Sequence, residues 1–408
     1  MRRRDAMRWA RQAAAVILCV SALALPACAS GVMSALYFGE STLSLDQRAF
    51  GMGGAGLGAT GGYPDAVNPA SLARSGTAAF NLTYRPLVNW GRDGIASQRL
   101  TSGRLSSGVF SLPVWRYLTV GLSIEQLHSS QYRYAEACST ESGDAYTRRQ
   151  TRSGGVYAGG LSMAALPMSG LGIGVGWRWT FGSIRQLSEL DFRDLNYQDT
   201  QDELLQKHSG GYPALGAVWD GGTIGFGAYW RGATTGDGEF TLRTTHDLER
   251  NTGFEFTLPQ RFGVGVGIGP FKGCSFAADL WREQWSKADF EGESSSFRDV
   301  TSLSIGAEYL PHFGERRLPP LRLGYRHRPG YYLLPLPDGS TSVDPPPDEA
   351  FTVGTMLGTG EGRGIVQVGL AFGTRGGVSR YGVRERYLEA SLGFTGFEPW
   401  TRRSLPGA

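Results

Sequence analysis

The sequence predicts an all-β fold, an antiparallel transmembrane β-barrel of about fourteen strands, and three observations carry that prediction. The first is alternation. Residues 262–269 read Phe-Gly-Val-Gly-Val-Gly-Ile-Gly, and 171–182 read Leu-Gly-Ile-Gly-Val-Gly-Trp-Arg-Trp-Thr-Phe-Gly. A strand points successive side chains to opposite faces, so each segment has one apolar face and one small or wet face. The small face is mostly glycine, which suits a wall between lipid and lumen better than one between a core and water. The second observation is the leader. Arg2, Arg3, Arg4, Arg8 and Arg11 precede the apolar run Ala13–Leu25, then Pro26 and Ala27-Cys28-Ala29. This reads as an export signal cleaved before Ser30, with the proline arguing against lipidation at Cys28. No later apolar run is long enough to span a bilayer, so a membrane-integral chain must close into a barrel. The third is the spacing of connections, short and long in turn.

Taken in order, residues 1–29 are the signal and 30–75 a glycine-rich stretch with little alternation. The run Gly51-Met52-Gly53-Gly54-Ala55-Gly56 matches the dinucleotide pattern but has no strand before it and no amphipathic helix after it. Strands follow near 76–90, 96–112, 117–136, 146–165, 171–186, 207–219, 222–234, 253–269, 274–290, 298–311, 319–330, 349–358, 363–374 and 384–398. Short turns fall at Pro113–Arg116, Pro167–Gly170, Asp220–Gly221, Pro270–Gly273 and Gly358–Gly362, with a moderate one at Pro311–Leu318. Longer polar loops fall at Ala137–Ala145, Gln186–Gln206, Thr235–Thr252, Glu291–Phe297, Gly330–Glu349 and Arg375–Val383. Short periplasmic turns opposite long outer loops are the outer-membrane pattern.

Facing follows from the alternation. Leu388, Ala390, Leu392 and Phe394 are expected toward lipid, as are Val366, Val368, Leu370 and Phe372. Charges fall on the other register, so Glu125, Arg178, Arg231, Asp279, Glu308, Arg322, Arg326 and Glu389 are the expected lumen-facing residues. A slip of one residue would flip a whole strand, which makes this agreement informative. Trp90, Trp115, Trp219, Trp281, Trp285 and Trp400 lie near strand ends, as interface girdles require, although the same positions could line a ligand slot.

Composition excludes several functions. Removing residues 1–29 takes five of the 40 Lys+Arg and one of the 37 Asp+Glu, leaving 35 against 36, so no basic surface remains for nucleic acid. Cys138 and Cys274 are too few for a disulfide scaffold and too far apart in the topology to pair. His128, His208, His246, His312 and His327 lack metal-ligand spacing and read as surface residues. No cofactor, metal or catalytic residue is expected, and the chain is not read as an enzyme. Asp191, Asp194, Asp199, Asp202 and Glu203 form an acidic outer loop, solvated or bridging to lipopolysaccharide through divalent ions. Pro335, Pro337, Pro345, Pro346 and Pro347 stiffen another loop, which either stands clear of the pore or covers it.

Three segments carry a family resemblance. Ala49-Phe50-Gly51-Met52-Gly53-Gly54-Ala55-Gly56 leads through Asp65-Ala66-Val67 to Asn68-Pro69-Ala70-Ser71-Leu72-Ala73. Leu258-Pro259-Gln260-Arg261-Phe262-Gly263-Val264-Gly265 precedes Ala278-Asp279-Leu280 and Gln284-Trp285-Ser286. Phe372-Gly373-Thr374-Arg375-Gly376 precedes Glu385, Tyr387 and Trp400. Together they resemble the FadL-type outer-membrane transporters and their uncharacterised, PorV-like relatives. The resemblance implies an N-terminal internal plug (30–75) inside a barrel (76–408), in the bacterial outer membrane. It implies passive uptake of hydrophobic small molecules, long-chain fatty acids or similar, with Asn68, Pro69, Ala70, Gly53, Gly54 and Gly56 at the plug and its ligand site. The expected partners are that ligand, outer-membrane lipids with lipopolysaccharide, and the barrel assembly machinery. The alternative reading is a non-transporting barrel that serves as scaffold or carrier for secreted and surface proteins. The chain departs from the family in ending Leu405-Pro406-Gly407-Ala408 instead of on an aromatic residue, and its loops are short.

Overall fold

Alternating glycine and bulky apolar residues give strands that can face lipid on one side and a tightly packed interior on the other. A computed structural model of the protein describes residues 31–43, 45–93, 97–140, 142–192, 197–245, 249–290, 295–313, 316–334, 336, 341–358 and 364–402. The expected signal at 1–29, with Asp194, His246, Pro335 and Pro337, lies outside the described residues.

Fourteen antiparallel strands follow one another around one closed sheet. They are β1 (Thr77–Asp93), β2 (Ser97–Trp115), β3 (Leu118–Ser129, resumed at Tyr132–Ser139), β4 (Ala145–Met168), β5 (Leu171–Phe192), β6 (Thr200–Asp220) and β7 (Ile224–Arg231, resumed at Thr234–Arg243). Then come β8 (Arg250–Leu258, resumed at Arg261–Phe271), β9 (Cys274–Glu283, resumed at Asp289–Phe290), β10 (Val300–Tyr309), β11 (Leu321–His327), β12 (Asp348–Gly358), β13 (Gly364–Gly377) and β14 (Val383–Arg402). The barrel closes where β1 pairs with β14, from Ala78 opposite Glu398 to Asp93 opposite Val383. Every expected strand coincides with one of these.

The outer wall is apolar. Leu82, Leu161, Phe226, Val264, Leu323 and Phe351 are all exposed on it. A charge at the middle of such a band would cost about 2–4 kcal/mol. The described charges of the expected lumen set lie on the other register.

Several expected loops are shorter than read. β5 and β6 continue pairing up to Leu190 opposite Thr200, and β7 and β8 up to Leu242 opposite Arg250. Above the lipid the alternation loses its apolar half, so periodicity disappears while the backbone ladder persists. Cross-strand ion pairs replace the greasy face there: Arg185–Glu203 at 2.7 Å and Lys207–Glu239 at 3.0 Å. Cys138 accordingly belongs to β3, paired with Tyr146 of β4, and not to a loop. It and Cys274 are both free thiols.

Residues 31–75 fill the interior. The α-helix among their described residues, α1 (Gln47–Gly51), starts at Asp46, whose carboxylate accepts from the Ala49 N–H at 2.7 Å. A 3-10 turn, Pro69–Arg74, leads into β1. The described start of the longest outer loop folds inward, with Tyr331 and Tyr332 2% and 3% exposed, whereas Val343 further along is 85% exposed.

Candidate functional site

The plug is held by polar contacts that come from many strands. Asp279 of β9 accepts from the Gly56 and Leu57 N–H groups at 2.8 and 2.9 Å. Thr352 of β12 accepts from the Gly53 N–H at 2.8 Å and donates to the Gly51 carbonyl at 3.0 Å. Gly53 and Gly54 take φ of +73° and +97°, a backbone that glycine adopts without strain. The nucleotide-like motif is therefore the turn that closes α1 against the wall.

Asn68 caps the Pro69–Arg74 turn. Its Oδ1 accepts from the Ala70 N–H at 3.0 Å and its Nδ2 donates to the Ala228 carbonyl of β7 at 3.3 Å. Pro69 sits first in the turn, where a missing N–H costs nothing. The turn lies so close to the wall that a Cβ on Gly216 would overlap the Asn68 side chain, and one on Gly174 would overlap the backbone between Pro69 and Ala70. Here the glycine face of the strands has its physical reason.

All eight expected lumen residues lie inside the barrel, seven of them at 5% exposure or less. The eighth, Arg326, has a side chain 17% exposed. Glu308 takes both Arg322, at 2.7 Å, and Arg48 of α1, at 2.8 Å, and Arg322 continues to Gln367 at 3.0 Å. Glu389 takes Arg104 at 2.8 Å and Arg326 at 3.2 Å. Arg178 donates to the Ala66 carbonyl of the plug at 3.3 Å and to Ser162 at 2.7 Å. Glu125 accepts from the Tyr212 hydroxyl at 3.1 Å, and Arg231 donates to the Pro259 carbonyl at 2.9 Å. The last three are not brought into ion pairs among the described residues.

Between plug and outer loops lies a cavity of about 100 Å³. Leu43, Leu45, Phe50 and Trp281 give it an apolar lining, and its charged lining sets Arg85 and Arg328 among the ion-paired Arg104, Arg326 and Arg375 and the carboxylates of Glu40, Glu283, Asp348 and Glu389. Arg85 donates to Ser391 at 3.2 Å and to the Leu43 carbonyl at 3.3 Å, and its guanidinium lies 4.8 Å from the Phe50 ring centroid. Arg328 donates to the Ser41 carbonyl at 3.1 Å. Neither forms an ion pair among the described residues. Sequence reasoning missed both, although Arg85 shares the inward register of Asn81 and Thr83.

At the outer rim, where Arg384 and Arg386 face outward and the apolar band has ended, Glu385 is fully buried. It accepts from Asn89 at 3.0 Å and from the Met33 N–H at 3.2 Å. Burial pushes its carboxyl up to about 7, against the pull of Arg375.

Two expectations need correction. His128 and His208 are not surface residues; they are 1% and 3% exposed, because the N-terminal segment and the inward loop cover the mouth of the barrel. The tryptophans divide: Trp90, Trp115 and Trp219 are exposed, whereas Trp281 and Trp285 are buried inside. In the acidic loop Asp191 pairs with Arg149 at 3.2 Å, and no group of three metal-ligating side chains occurs among the described residues.

Solved structures with this architecture settle the fold. A Pseudomonas aeruginosa FadL homologue superposes with a TM-score of 0.57 at 12% identity, covering 88% of this chain and 99% of its own. The likeness is one of fold. The P. putida toluene transporter TodX gives 0.54 at 12% identity over 88% and 99% of the two chains. The CymD monoaromatic hydrocarbon channel gives 0.52 at 14% identity over 87% and 98%. TodX is described as a transporter and CymD as a channel, and all three structures are similar to this chain in fold. A family model described as BamG matches residues 233–404, the span from β7 to the C-terminal strand. No curated protein matches the chain. An outer-membrane location follows from the fold and its apolar belt.

Proposed function

We propose that this FadL-type barrel mediates passive uptake of hydrophobic small molecules, long-chain fatty acids or similar amphiphiles, through its plugged lumen. The observation that carries the reading is the cavity beside the plug. It joins an aliphatic and aromatic lining to two guanidiniums, Arg85 and Arg328, that form no ion pair among the described residues. An anionic head group there would receive charge-assisted hydrogen bonds while its tail lay on Phe50 and Trp281. Ligand pockets usually measure about 300–1,000 Å³, so a cavity of about 100 Å³ takes a head group alone. Entry of the tail then requires the segment before α1 to move, and residues 30–75 act as the gate. Residues 1–29 fit a cleaved export signal in the same scheme.

The test is uptake of labelled oleate and of a neutral alkane by a deletion strain carrying either the wild type or Arg85→Ala/Arg328→Ala. Oleate uptake should fall about tenfold in the variant while alkane uptake holds. Equal oleate uptake with and without the gene would refute the reading.

A second reading has its own observation, the match of residues 233–404 to the family model described as BamG. It supports association with the barrel assembly machinery, with the barrel as scaffold instead of channel. Co-purification of a machinery component with the wild type, together with unchanged solute uptake in the deletion strain, favours this second reading.

A further inference from the structure

Phe38 is fully buried in a pocket formed by His128, His208, Phe256 and Phe290. Its ring centroid lies 5.7, 5.5, 5.8 and 5.0 Å from theirs. The pocket adjoins the cavity beside the plug, because Trp285 and Tyr331, which line that cavity, also contact the His128 ring at 5.5 and 5.9 Å.

Two features set this pocket apart from ordinary core. Neither ring nitrogen of His128 or of His208 has a hydrogen-bond partner among the described residues, although both side chains are more than nine-tenths buried. Buried polar atoms in native proteins nearly always find a partner, so four unpartnered nitrogens around one phenyl ring call for an explanation. In addition, the ring is presented by a special backbone. Tyr37 takes φ of +49°, unusual for a bulky residue, and Gly39 takes +84° where a Cβ would overlap the Ser129 carbonyl. Arg152 donates to the Ala35 and Tyr37 carbonyls, and Tyr331 donates to the Gly39 carbonyl at 2.9 Å. The turn is clamped from outside to hold a phenyl group in place.

We propose that this pocket is a ligand subsite for a hydroxylated aromatic ring of the phenol class, and that Phe38 occupies it in the closed state. A neutral imidazole offers one donor and one acceptor nitrogen. A phenolic hydroxyl can therefore donate to one histidine and accept from the other, supplying what the Phe38 ring cannot. Withdrawal of the Tyr37–Gly39 turn frees the pocket and enlarges the neighbouring cavity in the same movement. The proposal rests on the uptake reading for its use in the cell, but the binding stands apart from it. Cavities of about 150 Å³ left by removing one apolar side chain are known to bind benzene, which makes the subsite directly testable.

The experiment uses the full mature chain in detergent, as wild type and as Phe38→Ala, titrated with phenol and with toluene by calorimetry. Phe38→Ala should bind phenol at least about tenfold more tightly than toluene, and at least about tenfold more tightly than the wild type binds phenol. Adding His128→Leu and His208→Leu to Phe38→Ala should bring the phenol-to-toluene preference to near one while toluene binding persists. Equal affinity for the two probes in Phe38→Ala, or no binding of either, overturns the proposal. If Phe38→Ala does not reach the heat-modifiable barrel form, Phe38→Leu is read with the same ordering of ligands. Uptake assays separate the two claims. Phenol binding without uptake of any solute removes the transporter and leaves the subsite; uptake without phenol binding does the reverse.

Discussion

Glu308 is the position where the plug is most exposed to a single substitution. Its two oxygens hold Arg48 of the plug at 2.8 Å and Arg322 of β11 at 2.7 Å, with all three side chains less than a tenth exposed. Glu308→Ala would leave two guanidiniums buried and unopposed. Removing one partner of a buried pair costs about 3–5 kcal/mol, and here both orphans carry the same sign. The wall can keep Arg322 through Gln367, but Arg48 stands on α1, which can leave. The strain should therefore appear as plug release, not as loss of the barrel. At about 1.4 kcal/mol per tenfold, an open plug state would gain on the order of a hundredfold or more in population. Single-channel recording in planar bilayers reads this directly: the wild type should be quiet and Glu308→Ala should open frequently. Glu308→Gln, which keeps the shape and loses the charge, should fall between. Adding Arg48→Met to Glu308→Ala removes one orphan and should recover part of the quiet state. A Glu308→Ala barrel as silent as the wild type, with the same heat-modifiable migration, would refute the claim that this pair fastens the plug.

Gly216→Ala should loosen the plug through sterics alone, since its Cβ would overlap Asn68; unchanged proteolytic protection of residues 31–75 would count against the close approach. Glu385 sets a pH dependence. Its carboxyl, raised from 4.5 to about 7 by burial, contributes stability that is full below the unfolded value and lost as pH rises through about 7. Glu385→Gln should accordingly raise the unfolding temperature at pH 8 and give no advantage near pH 4; a gain independent of pH would refute the assignment. Cys138 lies on the outer extension of β3 and Cys274 starts β9 at a short turn. An apolar band about 25 Å tall separates them, so an impermeant thiol reagent should label Cys138 on whole cells, and a Cys138–Cys274 crosslink would overturn the topology.

The wall was legible because lipid imposes a strict period of two. Phe-Gly-Val-Gly at 262–265 can be read without neighbours, and the inward charges such as Asp279 and Glu389 mark the register independently. The plug was legible only as the absence of that period. Nothing local says that Phe38 enters an aromatic pocket or that Arg48 reaches Glu308 across 260 residues, since both depend on how an irregular segment meets strands far away in sequence. His128 and His208 were misread for the same reason: a strand end is a surface until something covers it.

The interior joins two demands that a solvated pore would not make together. Glycines such as Gly174 and Gly216 remove side chains so that the plug backbone can touch the wall, which makes the plug part of the packed core. Yet the contacts that fix it are largely ionic or polar, at Glu308, Asp279 and Thr352, and such contacts break with little penalty once water enters. Hydrophobic packing alone would seal the barrel without offering a discrete way to open it. A plug fitted closely and fastened by a few buried charges can be tight at rest and still have a second state, reached when one fastening is lost or replaced. The cationic lining at Arg85 and Arg328, and the histidines around Phe38, are where an incoming molecule would meet polar atoms that the closed barrel leaves unmatched. The same groups that make the closed state imperfect are thus the ones through which a ligand can compete with it.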